Sequence, residues 1–378
     1  MVLWLNGVCV IGLLAAGLVA VFVVDDEETY PERWDPRVAP LAEFVERERG
    51  HRFTHPVHVD FLTAAEYTER TRTDEESLAP EDVEDVEQGE ALLRAFGLIA
   101  GDVRLLDTVN ELSDTGTLAY YDSQEERVVV RGTEITPLLN LTLVHELTHV
   151  LQDQVFDLDR FDEDDESVTD GQLAAFQALV EGDADRIESE YFESLSEQEQ
   201  EAAEGAAEGG AAALEDEEPS QAIAAMFAAP YVLGDALVAL LDAVADAKID
   251  EAFVKPPATE EHILDPFKYL DAEGARSLDP PDVGGLEVVD SGDFGAVAVL
   301  VVLAERVELR QALTAATGWG GDAYAVFRRD GRTCARINIT GDTPSDTEEL
   351  DAALGAWVAA APPNTATTTR NGDLVQFE

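Results

Sequence analysis

Between Leu138 and Leu151 runs a nearly unbroken apolar stretch holding two histidines and a glutamate, groups that a hydrophobic core accepts only with partners. His145, Glu146 and His149 stand at i, i+1 and i+4 within it. On a helix, positions one turn apart share a face, so the two imidazoles lie side by side. Such a pair can hold two corners of a zinc ion, with Glu146 beside them as a base for water at the metal. The context is helical. Thr136 suits a cap, Pro137 the first turn, and Leu138, Leu139, Leu141, Leu143, Leu147, Val150 and Leu151 supply apolar faces. The chain has only six His, so composition alone would give His-Glu-x-x-His on the order of 0.01 times. The alternative is a core helix whose histidines are satisfied by neighbours.

A catalytic zinc usually has three protein ligands, so one is missing. The next histidine is His262, far downstream; a carboxylate is the other option. Glu181 lies in a second apolar-periodic stretch, about residues 171–191, with room before it for a loop and a return helix. An acid beside Leu179 and Val180 needs a partner. In a chain so rich in acids, a solvated surface glutamate is the plain alternative.

The pattern resembles that of the gluzincin metallopeptidases, which carry His-Glu-x-x-His on one helix and Glu-x-x-x-Asp on a second. His145, Glu146 and His149 match the first part, and Glu181 and Asp185 the second. The resemblance implies that Glu181 is the third zinc ligand. It also implies that Asp185 accepts a hydrogen bond from a ligand imidazole and fixes its tautomer. Asp183, two residues from each, points to another face. A closer likeness is to a group of bacterial and archaeal metallopeptidases. They share the run His145-Glu-Leu-Thr-His-Val-Leu-Gln-Asp-Gln154, variable at Thr148 and Val150, and the run Ala178-Leu-Val-Glu-Gly-Asp-Ala184. Further matches are Pro256-Pro257 with Thr259, Glu261 and His262, and Gly318-Trp319-Gly320-Gly321-Asp322. The likeness covers about residues 40–360. His262 departs from it, since Gln is expected there, which weakens His262 as a required group.

The segment before the motif helix reads as a hairpin: a strand at 118–121, a turn at 122–125 and a β-branched strand at 127–131. By resemblance, such an edge strand lies above the metal and pairs with an extended peptide through its backbone. Peptide hydrolysis also needs a donor for the developing oxyanion. Tyr231, His262 and Tyr269 are candidates, with His262 and Tyr231 ranked first. His51, His55 and His58 cluster near the start, where alternation faces Val57, Val59 and Phe61 one way and His58 the other; a solvent-facing strand is the reading preferred over a second metal site. The acidic loop 157–166 lacks the glycine and terminal glutamate of a calcium-binding EF-hand and reads as solvated charge.

The chain has 378 residues, with 80 acidic and 24 basic, for a formal net charge of −56. Only Lys248, Lys255 and Lys268 are lysines. This composition resembles that of proteins from salt-loving archaea, and it argues against nucleic acid as a partner. Residues 2–24 are uncharged and almost wholly apolar. They would form a helix of roughly 34 Å at 1.5 Å per residue, enough to cross a bilayer. No basic leader and no small-x-small cleavage site accompany them, so a retained single-pass anchor is preferred over a secretory signal. Arg33 and Arg37 would put the following part in the cytoplasm, whereas resemblance to exported zincins puts it outside; the outward side is the expectation. Cys9 and Cys334 form no disulfide framework.

The expected organisation is an anchor at 1–24, an acidic linker at 25–39, a zincin-like region at 40–361, and a loose polar tail at 362–378. The fold class is α+β: a small mixed sheet with an active-site helix, then a mainly helical C-terminal part. Residues 196–220, rich in Glu, Ala and Gly, read as a helical extension or a disordered insertion. Residues 222–247 read as a core helix broken at Pro230 and Gly234, and 294–316 as another helix. A hairpin turning at Asp330-Gly331 and an amphipathic helix at 348–361 complete the region. The functional expectation is a membrane-anchored zinc peptidase acting on peptide or protein substrates, with Glu146 as general base. The rival is an inactive zincin-fold protein for binding or envelope assembly, which would have no need of Glu146. Acid excess repels itself where salt does not screen it. The thermal midpoint should therefore rise steeply from dilute buffer to molar salt, and a midpoint indifferent to salt would refute this reading of the charge.

Overall fold

A computed structural model of the chain describes residues 30–73, 78–161, 168–215, 221–245 and 247–378. The anchor expected at 1–24 lies outside the described residues. The fold is mixed α and β, with two sheets. Helix α1 (Ala39–Arg49), strand β1 (His58–Leu62) and helices α2 (Ala64–Thr71), α3 (Pro80–Ala95) and α4 (Leu105–Gly116) precede the hairpin β2 (Ala119–Asp122) and β3 (Arg127–Arg131). The three strands form one small mixed sheet in the order β1-β3-β2, with β1 parallel and β2 antiparallel to β3. Val128, Val129 and Val130 are fully buried at its centre, as β-branched residues suit.

Helix α5 (Pro137–Phe156) carries the histidine motif and starts where the sequence indicated, with Thr136 Oγ1 accepting from the Leu139 amide at 3.1 Å and Pro137 in the first turn. It packs with α1 and the small sheet around Val38, Leu143, Val144, Leu147 and Val150. Helix α6 (Asp170–Ser194) opens with a reciprocal capping box between Thr169 and Gln172 and returns alongside α5. Helices α7 (Glu197–Glu215), α8 (Gln221–Val244) and α9 (Ala247–Val254) follow. The described part of 196–220 is thus helical, with Ala203 buried.

Several expectations are corrected. Helix α8 runs unbroken through Pro230. A proline inside a helix removes one backbone hydrogen bond, but α8 is held along α6 by buried Leu237, Val238 and Leu241. It is also, among the described residues, the helix long and apolar enough to cross a membrane. The part after α5 is largely helical, but beyond the short helices α10 (Glu261–Leu264) and α11 (Pro266–Leu270) it builds a second sheet larger than the expected hairpin. Strands β4 (Val288–Gly292), β5 (Trp319–Arg329), β6 (Arg332–Gly341), β7 (Thr368–Asn371) and β8 (Leu374–Phe377) form an antiparallel sheet in the order β4-β5-β6-β8-β7. The expected helix at 294–316 is two, α12 (Ala296–Ala304) and α13 (Leu309–Thr317); α14 (Pro344–Ala360) starts four residues before the expected 348. The tail at 362–378 is not loose, because Val375 and Phe377 are buried and β8 pairs with β6. Nor is all of 25–39 a linker: Val38 is fully buried and the Tyr30 ring stacks on His55 at 3.5 Å.

Helices α6 and α8 meet backbone to backbone at Gly182 and Gly234. A Cβ on Gly234 would lie 2.0 Å from the Ala178 carbonyl oxygen, and one on Gly182 2.4 Å from the Gly234 carbonyl carbon. Gly234→Ala should cost about 1–3 kcal/mol or more, as overpacking does. The matched Gly205→Ala on α7 meets open space and should stabilise slightly, by up to about 1 kcal/mol. Thermal unfolding of the two variants, side by side, checks the contrast.

Candidate metal centre

Three ligand-type atoms converge where α5 and α6 face each other. His145 Nε2 lies 3.1 Å and His149 Nε2 3.4 Å from Glu181 Oε2. The one-turn spacing on α5 sets the imidazoles nearly perpendicular, ring centres 4.6 Å apart. Ligand atoms about 2.1 Å from an ion at tetrahedral corners would be about 3.4 Å from one another, so the two imidazole–carboxylate separations fit one ion. All three side chains are buried.

The remaining ring nitrogens support the same fit. His145 Nδ1 lies 3.1 Å from Asp185 Oδ1 and 3.3 Å from Glu188 Oε2. His149 Nδ1 lies 2.9 Å from Gln152 Oε1. Each Nδ1 thus has acceptors behind it, which turns each Nε2 to the shared side. Burial by itself would push His145 down, but Asp185, Glu181 and Glu188 together hold it well above the usual histidine range. His149 is likewise raised, burial being outweighed by Glu181. Burial pushes Glu181 up, yet the two imidazoles override it and bring its carboxyl to about 2. A carboxylate so firmly ionised among histidines is a suitable oxygen ligand for a divalent ion.

Glu146 is also buried, and burial moves its carboxyl up to about 7 against the pull of His149 and His145. Its Oε2 accepts the backbone N–H of Tyr121 at 2.8 Å. That bond ties Glu146 to β2, the hairpin strand with no second partner among the described residues. The Tyr121 hydroxyl donates to Asp153 Oδ2 at 2.8 Å, fixing the strand to the end of α5.

His145, Glu146, His149, Glu181 and Asp185 are therefore brought together. Tyr231, on α8, has its ring centre 6.5 Å from that of His145. His262 is not brought into the cluster. Its Nδ1 accepts the Ala258 N–H at 3.2 Å and its Nε2 donates to the Glu273 carbonyl at 2.8 Å, so neither nitrogen is available to an oxyanion. Burial also pushes it below the usual range, toward the neutral form. The Tyr269 hydroxyl is spent on the Lys255 carbonyl. His51 pairs with Asp250 and His55 with Glu126, while His58 is exposed, so these three form no site.

Gln152 and Glu188 were missed as parts of the candidate centre. Glu188 could have been found, since 181, 185 and 188 follow the i, i+4, i+7 spacing of one helical face. Gln152 carries no such signal, because an amide three residues after a histidine is common on any helix. Asp183 does face away from the cluster, toward Arg49, whose Nε reaches it at 2.6 Å.

Residues 285–377 match a family model described as "Domain of unknown function (DUF8575)". That stretch contains β4 to β8 and lies wholly outside the cluster. The chain matches no curated protein and no solved structure. If the cluster holds one ion, Glu181→Ala should lower bound zinc, measured by elemental analysis, well below one per chain. Unchanged stoichiometry would remove Glu181 from the ligand set.

Proposed function

We propose that this chain is a metal-dependent peptidase of gluzincin type with a zincin-like arrangement, anchored by residues 2–24 in a membrane and acting on peptide or protein substrates on its outer side. One observation carries the reading: His145 Nε2, His149 Nε2 and Glu181 Oε2 converge while Glu146 is held beside them by the edge strand. A scaffold would need the histidines and Glu181 but has no use for Glu146 buried beside them. A zinc ion bound by these three groups would polarise a scissile carbonyl and make a nearby water acidic near neutral pH.

The chain's own residues do the rest. Glu146, moved up to about 7, takes a proton from the attacking water and returns it to the leaving amine. The Leu118 carbonyl accepts from Arg131 of the neighbouring strand, so by alternation Ala119 and Tyr121 turn their backbone groups to the outer edge of β2. Tyr121 spends its N–H on Glu146 and keeps its carbonyl for an extended peptide laid along that edge. Such pairing reads backbone rather than side chains and gives sequence-tolerant binding. Tyr231, next to His145, supplies the donor for the developing oxyanion.

Peptide-library cleavage by the purified chain in high salt, with and without chelator, tests the activity. Glu146→Gln should bind metal as before and lose about 100-fold or more in turnover. Full activity in that variant would sink the mechanism, and no chelator-sensitive cleavage by the parent chain would sink the peptidase reading.

A further inference from the structure

Gln152 stands between His149 and a buried ion pair. Its Oε1 is 2.9 Å from His149 Nδ1, and its Nε2 is 3.0 Å from both the Val180 carbonyl oxygen and Asp183 Oδ2. An isolated glutamine could present either end of its amide to a histidine, and the end presented decides which ring nitrogen holds the proton. Here the surroundings remove the choice. A backbone carbonyl and a carboxylate only accept hydrogen bonds, so both demand the NH2. The oxygen is left for His149, and only a protonated Nδ1 can donate to it. That leaves Nε2 as the nitrogen for an ion shared with Glu181.

Asp183 can impose this because its own position is fixed. Arg49 Nε, from the last residue of α1, donates to the same Oδ2 at 2.6 Å, and Arg186 Nη2 donates to Oδ1 at 3.1 Å. The Arg49 and Asp183 side chains are 4% and 0% exposed, so solvent does not compete for them. Arg49 Nη1 is held in turn by Asp250 at 2.7 Å. Arg49 and Asp183 are 134 positions apart in the chain.

We infer that Gln152 is a positioning residue that sets the tautomer of His149, and that the Arg49–Asp183 pair orients it. Through this relay the end of α1 controls metal affinity without touching the metal. The inference rests on reading His145, His149 and Glu181 as the metal centre. Asp183→Asn keeps the shape but adds a group that can donate to Gln152 Oε1. Only the Val180 carbonyl then still demands the NH2, so the amide turns more readily to offer NH2 to Nδ1, which favours the proton on Nε2 and closes the ligand position.

Zinc affinity by chelator competition should fall about 10–100-fold in Asp183→Asn and in Gln152→Leu, the range for lost outer partners of ligand histidines. The double variant should bind no more weakly than Gln152→Leu alone, because both act on one amide. The visible spectrum of the cobalt-loaded protein should change in both single variants, which general loosening of the α1–α6 contact would not produce. Asp183→Asn leaves two arginines without their carboxylate; if it does not fold, Gln152→Leu, which spares that pair, decides. Unchanged affinity and cobalt spectrum in Gln152→Leu would overturn this inference alone. Failure of the parent chain to bind zinc or cobalt would overturn the metal-centre reading and this inference with it.

Discussion

Glu181 is an ionised carboxylate with almost no contact with water, and two imidazoles facing it are what make that tolerable. Taking a charge out of water costs several kcal/mol unless partners replace the solvent. The same condition governs its neighbours. Asp183 has two arginines and Gln152, and Asp185 and Glu188 share His145. Helices α5 and α6 are therefore held at one separation and one rotation, since a shift of either would strand a buried charge. The backbone contact at Gly182 and Gly234 then brings α8 close enough to set Tyr231 beside His145.

The C-terminal part solves the same problem without a cluster of histidines. Asp322 accepts the backbone N–H groups of Phe294 and Gly295 and the indole N–H of Trp319. Glu260 accepts the Val297 N–H in the first turn of α12, and burial pushes its carboxyl up to about 8. Lys268 bridges Glu261 and Asp342. These groups join the helices after α9 to the five-stranded sheet. They explain the run Gly318-Trp319-Gly320-Gly321-Asp322 as a structural joint. A Cβ on Gly320 would meet the Asp342 amide nitrogen at 2.7 Å, and Gly321 has φ +148 with the Arg276 carbonyl oxygen 2.1 Å from where its Cβ would be. His262 belongs to the same joint, with its nitrogens bound to Ala258 and Glu273.

What could be read beforehand follows from how local each signal is. The motif helix was legible because cap, first-turn proline and histidine spacing all lie within one short stretch and agree. The hairpin at Asp330-Gly331 was legible because both turn residues take positive φ, which Asp-Gly favours. The strands at 368–377 were not. They are four residues each, and only pairing with β6 buries Val375 and Phe377. Pro230 misled because its local cost is real, while the packing that overrides it comes from a helix some fifty residues earlier in the chain. His262 looked reactive because a histidine's chemistry is visible in a sequence and its hydrogen-bond partners are not.

The sequence by itself pointed to the residues of the candidate centre. Helical periodicity turns i, i+4 into one face, so His145 and His149 follow from spacing, while Glu181 was marked by an acid's need for a partner in an apolar stretch and singled out by the resemblance to the gluzincin pattern. Tertiary structure decided how those residues are aimed. Which imidazole nitrogen faces Glu181 depends on Asp185 and Glu188 behind one ring and on Gln152, Asp183 and Arg49 behind the other. The access of Glu146 to an edge strand depends on Tyr121, twenty-five positions before it. A hydrogen bond needs its donor and acceptor within about 3 Å, and for groups so far apart along the chain only the packing of helices and sheet can supply that distance.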